Sequence, residues 1–262
     1  MTRRAAAWLS LLPLAAVLLL ALAGPLFAGH DPARVVSVPY AVRTPGLPMG
    51  ADGAGRDVWV RFLCGGRDLV VLPLLGTLAT MVLGTAVGLV SGCFQGVVDA
   101  VLSRTANLLL VIPPVLSLLV LLQGWGYSGL VLFSAVLVTG VPFVSKVARA
   151  ATLTVMGTGY VEQAMALGDG PLTVIVREVL PNIARPILAD AGSRFAIAIF
   201  ITASAGFLGF GPGEPNWGAM INENIEGITL SPWGVVLPAV ALSCLTVSAN
   251  LLLDRLTARI PS

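Results

Sequence analysis

Thr105 to Ser145 reads TANLLLVIPPVLSLLVLLQGWGYSGLVLFSAVLVTGVPFVS, 41 residues without a charged side chain. A bilayer-crossing helix needs about 20 apolar residues, so this stretch holds two crossings rather than one. Its middle, Gln123-Gly124-Trp125-Gly126-Tyr127-Ser128-Gly129, suits a short turn at a membrane interface. Outward from it, charge is also absent from Ala5–Gly29, Leu69–Val98, Phe195–Gly213 and Gly227–Leu253. Six spans are expected, at roughly 8–28, 70–91, 105–122, 130–148, 187–210 and 234–253. Backbone in lipid must satisfy its own hydrogen bonds, so the spans are helices and the chain is an all-α membrane protein. Pro73, Pro113, Pro114 and Pro142 fall inside spans, where packed helices are expected to tolerate them. Gly76, Gly84, Gly88 and Ser91 allow close helix approach.

The composition agrees. Of 262 residues, 56% are hydrophobic and only 11% charged, and mean hydropathy is +0.93. An average soluble domain carries about 25% charge, so a soluble globule is excluded, as is a polar disordered chain. A net charge of +2 without a basic, aromatic-interleaved stripe argues against nucleic acid. Cys64, Cys93 and Cys244 are dispersed and read as small buried hydrophobes. His30 reads as an interfacial polar residue. No zinc, serine-hydrolase or nucleotide-loop signature occurs, so no catalytic residue or metal site is expected. Spans 70–91, 105–122 and 234–253 hold no ionisable group, which removes the usual relay of an ion-coupled transporter. Asp190 and Arg194 lie four apart at the start of the fifth span and read as a mutually neutralising pair at the membrane boundary. Energy must then come from a partner.

Arg3 and Arg4 before the first apolar run anchor an uncleaved helix, with a signal peptide cut near Ala21-Leu22-Ala23 as the competing reading. With the N-terminus inside, ten Lys and Arg lie inside and five outside, which sets both termini in the cytoplasm. Residues 1–68 then comprise the first helix and an outer loop, and 69–258 a five-helix core.

In the inner segment, Val161–Leu167 reads as a short helix and Gly168 as its left-handed stop. Asp169 and Pro171 restart a second helix with Leu172, Ile175, Val176 and Val179 on its apolar side. Pro181 and Pro186 are expected to break the chain before the fifth span. In the first outer loop, Gly50–Val58 reads as a glycine turn capped by Asp52, leading to an interfacial segment anchored by Trp59 and Phe62. The two outer loops are oppositely charged: Arg34, Arg43, Arg56 and Arg61 against Glu214, Glu223 and Glu226. They are expected to present complementary patches to a docked partner.

Residues 159–181 resemble the EAA loop of binding-protein-dependent ABC-transporter permeases. Glu162, Ala164, Gly168, Leu180 and Pro181 match its spacing; Gln163 replaces an alanine and Glu178 an isoleucine. Gly50-Ala51-Asp52-Gly53-Ala54-Gly55-Arg56-Asp57 is similar to the G-T-D-x-x-G-R-D run of dipeptide, oligopeptide and nickel permeases. Gly206–Gly211 and Pro215-Asn216-Trp217-Gly218-Ala219-Met220 resemble the F-L-G-x-G and P-x-W-G-x-M pair of the same group.

The resemblance implies a type I ABC importer permease fold, in the shorter C-type subunit of a permease pair. Glu162, Gln163, Ala164, Met165, Leu167, Gly168, Leu180 and Pro181 would couple it to ATPase subunits. Asp52, Gly55, Arg56, Asp57, Trp217, Gly218, Glu223 and Glu226 would lie where an extracytoplasmic solute-binding protein docks. The implied partners are a second permease, two ATPases that bind ATP and Mg, that binding protein and the bilayer; this chain holds no cofactor. The implied cargo is a peptide, with nickel, haem or another small solute as alternatives. An ion-coupled secondary transporter and a membrane-embedded enzyme are the rival classes.

Overall fold

The computed structural model describes residues 11–211 and 213–257. Arg3 and Arg4, the start of the first span and Arg259 lie outside them. The helices are α1 (Leu11–Ala23), α2 (Val58–Cys64), α3 (Asp68–Cys93), α4 (Val97–Val111), α5 (Pro114–Trp125), α6 (Gly129–Met156), α7 (Gly159–Ala166), α8 (Pro171–Val174), α9 (Leu180–Phe207), α10 (Trp217–Asn224) and α11 (Trp233–Thr257). Among the described residues there is no β-strand, only three isolated bridges in the first loop.

Four helical stretches are long and apolar enough to cross a membrane: Val58–Cys93, Gly129–Met156, Pro171–Phe207 and Trp233–Leu253. The bent pair α4–α5 makes a fifth if counted as one span, and the first expected span shows a shorter apolar helix, Leu12–Phe27.

The bundle is organised on α3 and α6, which run parallel. Gly76, Gly84, Gly88 and Gly92 of α3 face Val136, Val144, Ala148 and Thr152 of α6 in turn, while Thr80 faces Gly140. The four-residue interval keeps one face in register, and missing side chains let the backbones close. On this pair α9 packs through two apolar clusters. Ala198, Ile201 and Ala205 meet Leu118, Leu122, Leu132 and Val136 at one end. Ile183 and Ile187, with Val179 just before the helix, meet Leu89 and Ala148 at the other. The first end carries the loops 28–57 and 208–232 and is termed the cap end. The second carries residues 157–179 and is termed the corner end.

The third expected span is not a straight helix. α4 and α5 meet at 86°. Pro73, Pro142, Pro186 and Pro238 all lie inside unbroken helices, so a single proline is not the cause. A residue before proline is driven out of the helical region, and Pro113-Pro114 does this twice in succession. Ile112 takes ψ 120° and Pro113 ψ 135°, and the chain turns.

Pro181 and Pro186 do not break the chain either. Helix runs from Pro171 to Phe207, with a π-helical turn at Ile175–Val179. Pro181 and Pro186 lack the amides that carbonyls on the preceding turn would accept from. The widened turn directly precedes Pro181 and takes up its mismatch, and the Asn182 side chain donates to the Glu178 carbonyl at 2.6 Å; Pro186 stands inside the regular helix α9.

Candidate functional site: a projecting corner and a tied cap

At the corner end, α7 is anchored by Val161, which is fully buried among Leu89, Ala148 and Val174. The helix closes by donation from the Gly168 amide to Met165 O and from the Asp169 amide to Ala164 O, both 3.1 Å. That is the paired bonding of a glycine-terminated helix, and Gly168 has φ +97° as the sequence requires. The following helix is capped by Gly170 rather than Asp169, with Pro171 in its first turn. Its buried side is Val174 and Val179, five apart across the π turn; Leu172 and Val176 face outward, 74% and 53% exposed. Glu162, Gln163, Met165, Leu167, Gly168, Leu180 and Pro181 are exposed and Ala164 is half-buried. Leu167 is 88% exposed.

At the cap end, the oppositely charged loops meet each other. The Arg56 guanidinium donates to Asp52 at 2.8 Å and to Glu223 at 2.7 Å. Arg61, almost fully buried, pairs with Asp52 and with Glu223, the latter at 2.7 Å. The Gly53 amide donates to the Asn224 side chain at 3.2 Å. Trp217 is fully buried, stacks on Phe62 at 5.3 Å and donates its indole N–H to the Phe62 carbonyl at 2.8 Å. Asp57 caps α2 through the Trp59 amide at 2.8 Å, and Asn216 caps α10 through the Gly218 amide at 2.8 Å. His30 lies 3.4 Å from Asp57. Burial alone would raise the Asp52 carboxyl. The Arg56 amide, the hydrogen bond and charge of Arg61 and the charge of Arg56 outweigh it and hold Asp52 below its ordinary value.

Of the opposed charges seen in the sequence, Arg56, Arg61 and Glu223 pair with each other within the chain. Asp52, Gly55, Asp57, Trp217 and Gly218 are buried, leaving Arg56, Glu223 and Glu226 at the rim. Arg61 is the tie that motif reading passed over; its signal was the spacing Asp52, Arg56, Arg61 across a turn and a helix start. A third polar cluster joins helices near the corner end: Arg149 donates to both Asp99 oxygens at 2.5 and 2.6 Å. Ser91 and Ser103 add hydrogen bonds to the same carboxylate.

The sequence profile of the binding-protein-dependent transport system inner membrane component matches residues 84–261. The chain belongs to this family. It is a multi-pass inner-membrane permease subunit of an ABC importer. It is 31% identical to the glutathione transport system permease protein GsiD of Pectobacterium atrosepticum, over 79% of this chain and 70% of that protein. It is 28% identical to the dipeptide permease DppC of Haemophilus influenzae, over 92% and 84%. The oligopeptide permease OppC of Lactococcus lactis subsp. cremoris is also 28% identical, over 83% and 75%. The fold is shared with a chain of the MetNI methionine ABC transporter in an inward-facing conformation: TM-score 0.65, 17% identity, 78% of this chain and 97% of that one.

Proposed function

We propose that this permease forms half of a translocation pathway for dipeptides or oligopeptides, and that its Glu162–Gly168 corner couples it to separate ATPase subunits. The coupling rests on one observation: a short helix, anchored by Val161 and closed at Gly168, holds out Leu167 (88% exposed), with Leu172 (74%) and Met165 (46%) beside it. Large apolar side chains held out in this way are knobs for a partner's groove. Glu162, in the first turn, favours the helix dipole and is placed to meet a basic group. ATP and Mg bind in those partners, and closure of the ATPases swings the bundles between inward and outward access.

A second, similar permease packs beside this one, most simply as a heterodimer. The knee at Ile112–Pro113, where Leu108, Val111 and Ile112 are exposed, offers it an apolar surface. The binding protein docks on the cap through Arg56, Glu223 and Glu226, while the buried Asp52, Gly55, Asp57, Trp217 and Gly218 hold that rim in shape. Both termini are cytoplasmic. The peptide cargo follows the named relatives.

Gly168→Val and Glu162→Lys test the reading. The first strains a residue at φ +97° by about 1–2 kcal/mol, enough to re-aim the corner and too little to unfold the bundle. Both variants should reach the membrane in wild-type amounts, hold ATPase subunits loosely and lose uptake of a di- and tripeptide panel. Full ATPase association and full uptake in both would remove the corner from the coupling.

A further inference from the structure

Five buried side-chain polar atoms among the described residues lack a hydrogen-bond partner: Thr77 Oγ1, Thr80 Oγ1, Thr152 Oγ1, Asp190 Oδ2 and Arg194 Nε. Buried polar groups are almost always paired. Three of these five belong to residues that meet in one place. Thr77, Thr80 and Arg194 line a single cavity with Thr139 and Gly140, and Asp190 Oδ2 stands 3.1 Å from Arg194 Nε without lying along its N–H. Thr139 is already engaged, donating to Ala135 O at 2.8 Å. The Arg194 guanidinium also lies 4.7 Å over the Phe143 ring.

The position is mid-bundle, not the boundary that the sequence suggested. Thr80 is the middle residue of the 26-residue α3, and Arg194 stands on the long Pro171–Phe207 helix between the apolar contacts of Ile187 and those of Ala198. Lipid offers these groups no partner at that depth. The cavity measures about 10 Å³, the room that one water takes up on this measure. A carboxylate or a hydrated ion does not fit. Water does, since it accepts from Arg194 Nε–H and donates to the threonine oxygens that line the same cavity.

We infer that one resident water molecule binds here at mid-membrane, bridging Arg194 of α9 to Thr77 and Thr80 of α3. α9 then docks on the α3–α6 pair through a hydrated polar contact set between two apolar ones.

Thr80→Val and Thr77→Val test this against Thr152→Val. Thr152 is fully buried and its hydroxyl is also unpartnered, but it lines none of this cavity. Exchanging an orphaned hydroxyl for a methyl is neutral or stabilising, whereas removing a ligand of a shared water is not. Thermal unfolding of the assembled transporter in lipid nanodiscs should show midpoints lowered by about 2–4 °C for Thr80→Val and Thr77→Val, and unchanged or raised for Thr152→Val. If the first two follow Thr152→Val, no water is bound. Should Thr80→Val fail to assemble, Thr77→Val and a water-resolving map of the wild type decide. Density within hydrogen-bond reach of Arg194 Nε supports the site, and its absence overturns it.

Discussion

A methyl group on Gly88 would lie 2.5 Å from Ala148 Cβ, 2.6 Å from the Ser145 carbonyl oxygen and 2.8 Å from the Arg149 amide nitrogen. Carbon atoms pack best about 3.5–4.0 Å apart. Two of the three obstacles are backbone and cannot swing aside, so Gly88→Ala must part α3 from α6 by about 1 Å. The adjoining contacts of Gly84 with Val144 and Gly92 with Thr152 open with it. Overpacking of this kind costs about 1–3 kcal/mol. Alanine in a helix interior returns up to about 1 kcal/mol over glycine, leaving a net loss of up to about 2 kcal/mol. Gly124 in α5 supplies the opposite sign, because a methyl there meets nothing within 4 Å and only the propensity gain remains. Thermal unfolding of both variants in the same nanodiscs should lower the midpoint for Gly88→Ala and leave it level or higher for Gly124→Ala. Equal midpoints would refute the seam.

The cap should fail when its tie is cut. Arg61→Met leaves the buried Asp52 short of a cation, at a cost on the order of 3 kcal/mol, and limited proteolysis should open residues 28–57 at a protease level that spares the wild type. Asp52 sets the acid limit of the same cap. Its folded pKa lies below the ordinary 3.8, so its contribution is complete above that value and is lost as pH falls through the folded pKa. Protease protection of the loop should hold from neutrality to about pH 4 and decline below it; an Asp52→Asn cap should lack that decline. Asp99→Asn removes the carboxylate that Arg149, Ser91 and Ser103 share, and amide exchange in α4 should accelerate while α3 and α6 stay protected.

The helices were legible in the sequence wherever a long charge-free run stands alone: Leu69–Val98 became α3 and Gly227–Leu253 became α11. The corner was legible too, because a short helix ending at a glycine is a local event. What escaped depends on partners distant in the chain. Whether Arg56 and Arg61 face a partner or face Glu223 is decided by the approach of loops some 160 residues apart, which no local pattern encodes. The place of Asp190–Arg194 within the bundle was not legible, because a charge ends an apolar run whether it lies at an end of the bundle or inside it. The presence of a proline does not settle its effect: the double proline at 113–114 turns the chain, the π turn lets it continue through Pro181, and Pro186 stands inside α9.

The central claim is that this permease is driven through its corner by ATPases on separate chains. A tagged wild-type chain, purified in mild detergent beside Leu167→Asp, tests it most directly. The wild type should bring down ATPase subunits with measurable ATP hydrolysis, and Leu167→Asp should recover the permease without them. A wild-type chain that purifies alone, or a Leu167→Asp chain that keeps its ATPases in full, would contradict the account.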